Sequence, residues 1–237
     1  MKYGVRELKS PGEWKYVVGP DKWRRQCSAF ELAYKWHPAR NFPPAVAHVL
    51  QAAGSPTILR NLTVRYCLVE WPVFLDTDKA PSRTDLMVYA RTKDKNAVIV
   101  GVEGKAREPF GPRVDAWVRG LSDGQPTAGV NPKPSRLRRL QFLNGVLGRE
   151  VSADSKLRYQ LLHRTGSVLM ESRLQGAVAG LLIVHAFPGA DGSWADFEKF
   201  TTLLDIKAVR GQLSEPAQFA GKPEVPMYFL WVDDQCA

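Results

Sequence analysis

Apolar positions along the chain change period several times, and each change marks an element. In DKWRRQCSAFELAYKWH, residues 21–37, Trp23, Cys27, Phe30 and Tyr34 recur at helical spacing. Asp21 stands where an N-cap would and Pro38 follows the end, so the pattern predicts a helix over 21–37. PPAVAHVLQAAG, 43–54, reads as a second helix, opened by proline and closed by Gly54. Residues 57–76 are rich in β-branched and aromatic side chains and predict one long or two short strands. DLMVYART (85–92) and AVIVGVEGKA (97–106) predict two more, joined as a hairpin by the polar KDKN. Periodicity fades over 107–134 except for a short helix in PRVDAWVRG, and a segment this long without structure is often functional. Helices resume at 135–148 and 155–176, and a buried strand follows at 177–187. Ser193 and Asp196 have the spacing of a capping box opening a helix over 193–209, and 225–234 reads as a last strand. The alternation predicts a single α/β domain over 1–237.

Composition narrows the class. With 237 residues, 44% of them hydrophobic, the chain can bury a substantial core. It lacks an apolar run of the roughly 20 residues that cross a bilayer, and the first residues lack the apolar segment of a secretory leader. The three cysteines, Cys27, Cys67 and Cys236, are far apart and match no disulfide framework or zinc spacing. A reduced, cytoplasmic protein is expected, with no membrane partner. The net charge of +9 is unevenly placed: residues 81–165 hold 16 basic and 8 acidic side chains, residues 166–237 hold 5 and 9. The basic middle suits a polyanion such as DNA, or is simply a solvated surface. The acidic end suits a protein partner or a second copy of the chain. The four histidines form no HxxxH pair, and there is no P-loop, GxSxG or strand-turn GxGxxG.

The strand at 97–106 ends unusually, with Glu103 and Lys105 on one face because side chains alternate along a strand. In a hairpin centred on Asp94–Lys95, Asp85 falls opposite residue 104, so two carboxylates and an ammonium meet at the open end. Paired carboxylates suit a hard divalent cation, and a lysine beside its water can offset growing negative charge. The plain alternative is a surface hairpin in which Asp85 and Glu103 pair with Lys105 and Arg107.

Asp85 and, eighteen residues later, Glu103-Gly104-Lys105 resemble the Asp…Glu-x-Lys signature of the PD-(D/E)XK nucleases, the restriction-endonuclease-like superfamily. Thr84 stands where the motif's proline often does. The predicted order is helix 21–37, strands within 57–76, 85–92 and 97–106, helix 155–175 and strand 177–187. It is similar to that family's αβββαβ core, in which a central mixed sheet is flanked by helices. The resemblance therefore covers about 21–187, with the helix and strand of 193–234 added to it. It implies Asp85 and Glu103 as ligands of Mg²⁺ or Mn²⁺, completed by the Gly104 carbonyl, and Lys105 as the catalytic lysine. Glu31 matches an extra acidic position on the first helix, and Gln160 a polar position over the site. The implied activity is metal-dependent hydrolysis of phosphodiester bonds, in DNA before RNA.

Other residues could serve the same chemistry. Arg136, Arg138 and Arg139 crowd the first turn of a helix, where the dipole disfavours cations. Phosphate contacts would explain them, with Arg107 beside the motif as a fourth; a solvated face is the alternative. Trp117 is a candidate for stacking on a base. Gln160, Arg164, Ser167 and Glu171 form one stripe of the long helix, facing either the site or water. Besides a nuclease, the pattern allows a non-catalytic nucleic-acid-binding protein of the same fold. It also allows a protein-interaction module, such as a subunit or regulator in a bacterial defence or repair system.

Overall fold

A computed structural model describes residues 1–4, 6–76, 80–219, 221 and 223–237. Three long strands form an antiparallel meander: β3 (Thr63–Val73), β4 (Ser82–Arg91) and β5 (Ala97–Lys105), numbered after the two-residue strands β1 (Lys2–Tyr3) and β2 (Arg6–Glu7). Strands β6 (Ala179–Ala186) and β7 (Met227–Asp233) extend the sheet parallel to β5. The result is a seven-stranded mixed sheet in the order β2-β1-β3-β4-β5-β6-β7.

Parallel neighbours need crossovers, and helices supply them. The chain runs from β5 to β6 through α4 (Val114–Arg119), α5 (Pro134–Leu147) and α6 (Tyr159–Leu174). It runs from β6 to β7 through α7 (Asp191–Leu203). These helices pack Leu143, Leu162, Val168 and Phe200 against one face of the sheet. The N-terminal helices α1 (Lys15–Val18), α2 (Ser28–Trp36) and α3 (Pro44–Gln51) belong to the other face, where Leu32, Trp36 and Val46 meet Val100, Val102 and Ile183. With both faces covered, all eight residues of β6 are buried, and its sequence is correspondingly apolar.

Both flanks of the sheet are interrupted or covered. Residues 211–217 return along β7, where the N–H groups of Gly211, Ser214 and Ala217 donate to Trp231, Phe229 and Met227 at 2.9, 3.0 and 2.8 Å. On the other flank, the ladder between β1 and β3 pairs Lys2 with Leu68. The register of β3 also shifts between Val64 and Tyr66, and Pro72 offers no N–H.

Several predicted boundaries move. The helix expected from residue 21 begins at Ser28. Pro20–Lys22 is a 3₁₀ turn, Gln26 takes a left-handed φ of 63°, and the helix is capped by extended Cys27 rather than by Asp21. Thr57–Leu59 is likewise a 3₁₀ turn, so 57–76 holds one strand. The long helix starts at Tyr159 and not at 155, because Ser155 and Leu157 give their carbonyls to Asp115 and Val114. The capping box at Ser193 does not form: α7 starts two residues earlier, and Asp196 instead accepts a hydrogen bond from Arg158 Nε at 2.7 Å. It ends at Leu203, near the left-handed Asp205. No helix of the described residues is long and apolar enough to cross a membrane.

Candidate active site

The β4–β5 ladder runs from Arg91 opposite Ala97 to Leu86 opposite Val102. The turn centres on Asp94, with Lys95 at a left-handed φ of 66°, so the register is one residue off the expected one. Asp85 falls opposite Glu103 rather than residue 104, and the Gly104 N–H donates to Asp85 Oδ2 at 3.0 Å at the open end. Backbone alternation turns the Lys105 carbonyl toward β6, where Phe187 N–H donates to it at 2.7 Å. The Gly104 backbone faces the other way, toward Asp85. On the β3 side, Val69 pairs with Leu86 and Trp71 with Thr84, so Glu70 falls opposite Asp85. Glu70 has φ of 51°, uncommon for a side chain larger than glycine. The strand's alternation slips there: Leu68 and Val73, five residues apart, belong to the same core. Three carboxylates thus come from three adjacent strands.

Cations from β5 and α6 gather them. Glu103 is 2% exposed and Lys105 3%. Glu103 Oε1 accepts from Lys105 Nζ at 2.8 Å and from Gln160 Nε2 at 2.6 Å; Oε2 accepts from Arg164 Nε at 2.6 Å. Arg164 Nη2 lies 3.9 Å from Asp85 Oδ1, and Nη1 donates to Ser82 Oγ at 3.2 Å. The Ser82 hydroxyl is in turn 2.8 Å from His163 Nδ1. Gln160 and Arg164 are one helical turn apart, so a single face of α6 supplies both. Lys105 Nζ also sits 4.8 Å from the centre of the Phe110 ring.

These surroundings shift the titrations. Burial pushes the Asp85 carboxyl up to about 8, reinforced by the charges of Glu103 and Glu70 and opposed by Arg164 and Lys105. Burial raises Glu70 as well. Burial alone would raise Glu103, but Arg164 and Lys105 outweigh it and hold that carboxyl below its ordinary value. His163 is kept neutral by burial and by the nearby cations. One carboxylate is therefore ionised and clamped, while its neighbour holds a proton.

The cluster lines a cleft of about 610 Å³ whose other walls include Lys22, Arg24, Ser28 and Tyr159. Among the described residues, no group of three or more His, Cys, Asp or Glu stands as a ready-made metal site. The donor chemistry nevertheless suits a hard cation. Among the described residues, Asp85 Oδ1 accepts no hydrogen bond and faces only the Arg164 guanidinium at 3.9 Å, one lone pair of Glu103 Oε2 is uncommitted, and the buried Gln160 Oε1 has no hydrogen-bond partner.

Among the residues expected from sequence, Asp85, Glu103, Gly104, Lys105 and Gln160 come together. Glu31 does not line the cleft; its carboxylate accepts the N–H groups of Gln26 at 2.8 Å and Ala237 at 2.7 Å. The three arginines of α5 do not form one patch. Arg139 makes a two-pronged pair with Asp76 at 3.0 and 2.8 Å and also holds the Ala80 carbonyl. Arg136 lies over the Trp117 ring and donates to the Trp117 carbonyl. Arg138 and Arg107 are exposed. Trp117 is stacked on Tyr159 at 3.5 Å and 9°, which takes up one of its faces. Glu70 was not expected from the sequence, although a lone charge inside the apolar run CLVEWPV marks it.

An α/β fold with a buried carboxylate–lysine cluster at the end of a hairpin defines the class. The chain belongs to the family described as a domain of unknown function, DUF6946, which it matches over residues 7–236. No curated protein matches it, and neither does any solved structure.

Proposed function

We propose that this chain is a divalent-metal-dependent nuclease with a restriction-endonuclease-like core, of the PD-(D/E)XK kind, hydrolysing phosphodiester bonds in DNA. The observation that carries this reading is the meeting of Asp85, Glu103 and Lys105 at the open end of one hairpin, inside a cleft. The order α2, β3, β4, β5, α6, β6, with α3 inserted before β3 and α4 and α5 before α6, supports it. Mg²⁺ or Mn²⁺ would be held by Asp85, Glu103 and the Gly104 carbonyl, with Glu70 alongside. When bound, such an ion supplies a Lewis acid for the phosphoryl oxygen and lowers the pKa of its water.

The chain's own residues do the rest. Asp85 gives up its proton before it can act as a ligand, so cation affinity rises with pH toward about 8. Lys105 commits one Nζ–H to Glu103 and has two left for the attacking water and a phosphate oxygen. That placement stabilises charge that develops only on the way to the transition state. Gln160 and Arg164 are positioning residues that fix the Glu103 carboxylate. Arg164 also offsets the repulsion among the three carboxylates.

The test is incubation with plasmid, linear duplex and single strands, each with Mg²⁺, Mn²⁺ or EDTA. The parent cuts only with metal. Asp85→Ala, Glu103→Ala and Lys105→Ala each lose at least about a hundredfold in rate, and Lys105→Ala retains metal binding by calorimetry. A Lys105→Ala protein that cuts as fast as the parent overturns the mechanism. One observation favours a second reading, a non-catalytic binder: Glu103 already accepts three side-chain hydrogen bonds. Nucleic acid bound and left intact under every metal condition would establish that reading instead.

A further inference from the structure

The cleft also has a wall formed by the loop that precedes α2. Lys22, Arg24 and Arg25 stand within four positions, and all three are exposed. Many other arginines of this chain are paired: Arg139 with Asp76, Arg158 with Asp196 and Arg149 with Asp205. Among the described residues, the side chains of Lys22, Arg24 and Arg25 make neither an ion pair nor a hydrogen bond. Three neighbouring cations, of which Lys22 also acts on the Glu70 carboxylate, repel one another in the isolated protein, and a polyanion would neutralise them. Lys22 and Arg24 line the same cleft as Asp85, Glu103 and Lys105.

Between them in sequence stands Trp23, half-buried and packed on Phe30 and Tyr34 with ring centres 5.2 and 6.4 Å apart. Phe30 in turn stacks on Tyr34 at 4.5 Å. The backbone here is fixed rather than helical. Gln26 takes its left-handed φ, and its N–H is held by Glu31 from the first turn of α2. Alternating cations and an aromatic ring on a set loop are the components with which proteins track single strands, phosphates on the cations and bases on the ring.

The depth of the site points the same way. Glu103 and Lys105 are almost wholly buried, so a phosphodiester must enter the cleft to reach them. The cleft encloses about 610 Å³, and a flexible single strand can thread a phosphate into it without the bending that a stiff duplex would need.

We propose that the 22–25 loop is a single-strand guide, in which Lys22, Arg24 and Arg25 hold phosphates and Trp23 stacks on a base, and that single-stranded nucleic acid is the substrate class of the cleft. The direction of feeding toward Lys105 rests on the nuclease reading; the binding preference does not.

The experiment uses the full chain carrying Lys105→Ala, in EDTA, so that binding is read without turnover. A dye-labelled single-stranded oligonucleotide and the blunt duplex of the same sequence are titrated by anisotropy at several salt concentrations. The single strand should bind at least tenfold tighter than the duplex. Replacing Lys22, Arg24 and Arg25 together by Ala should weaken it at least tenfold, and should reduce the log–log salt slope by about 2, from three lost phosphate contacts. Trp23→Ala should weaken it by about tenfold. Lys199→Ala, at an exposed cation on α7, should change little. Melting temperatures confirm that each variant is folded. Duplex binding as tight as single-strand binding, no binding of either, or a triple variant that binds like its parent overturns the proposal. Cleavage by the parent chain with Mg²⁺ is scored separately, so either idea can fail alone.

Discussion

Asp85 holds its proton at neutral pH because burial, Glu103 and Glu70 together push its carboxyl up to about 8. An unfolded chain releases that proton near pH 4. Between about pH 4 and 8 the folded state therefore binds the extra proton, and the metal-free protein loses stability as pH rises through that window. Asp85→Asn removes the group that must ionise while keeping an acceptor for the Gly104 N–H. In EDTA at pH 8 it should melt at least about 2–4 °C above the parent, the shift expected for about 1 kcal/mol in a chain of this size. Melts from pH 5 to 9 check this; a variant that loses stability with pH as steeply as the parent would assign the loss to other groups. Asp85, Glu103 and Lys105 could be read from the sequence because strand parity is a simple rule; the register came out one residue off, since the turn centres on Asp94. Gln160 came in with the family resemblance. Glu70 could not be read that way: it reaches the site through a left-handed φ that inverts the parity of β3. Arg164 showed only as part of a polar stripe, because helical spacing does not say which stripe faces inward.

At the scale of elements, the position of the motif depends on how closely α2 approaches β5. A Cβ on Gly104 would lie 2.6 Å from Leu32 Cδ1 and 2.9 Å from Ser28 Cβ. Leu32 is fully buried, so it must shift to make room. Gly104→Ala should therefore destabilise the protein by about 1–3 kcal/mol through overpacking, read by urea unfolding. Adding Leu32→Ala should make the double variant more stable than the sum of the two losses. Purely additive losses would show that the strand end relaxes without help from α2. The strands were legible to within a few residues because both faces of the sheet are covered and long apolar runs result. The first helix was over-extended because Trp23 and Cys27 fall at helical spacing while lying in a loop. Their burial comes from ring packing and the cleft wall, which periodicity cannot distinguish from a helix face.

For the whole molecule, the covered flank of the sheet bears on self-association. Six of the seven residues of β7 are buried and its run YFLWV is apolar, the composition of a segment that pairs readily with another chain. What blocks this is the 211–217 return, in which Ser214 acts twice: its N–H donates to the Phe229 carbonyl and its Oγ accepts the Phe229 N–H at 2.9 Å. Ser214→Pro removes both groups at once. It should leave the circular dichroism spectrum at 20 °C near that of the parent but bring light scattering on heating forward by several degrees; unchanged scattering would mean that the helices guard the strand unaided. The Ser214 segment is thus a gatekeeper against propagation: it keeps a strand that evolution made apolar for one partner from accepting copies of itself.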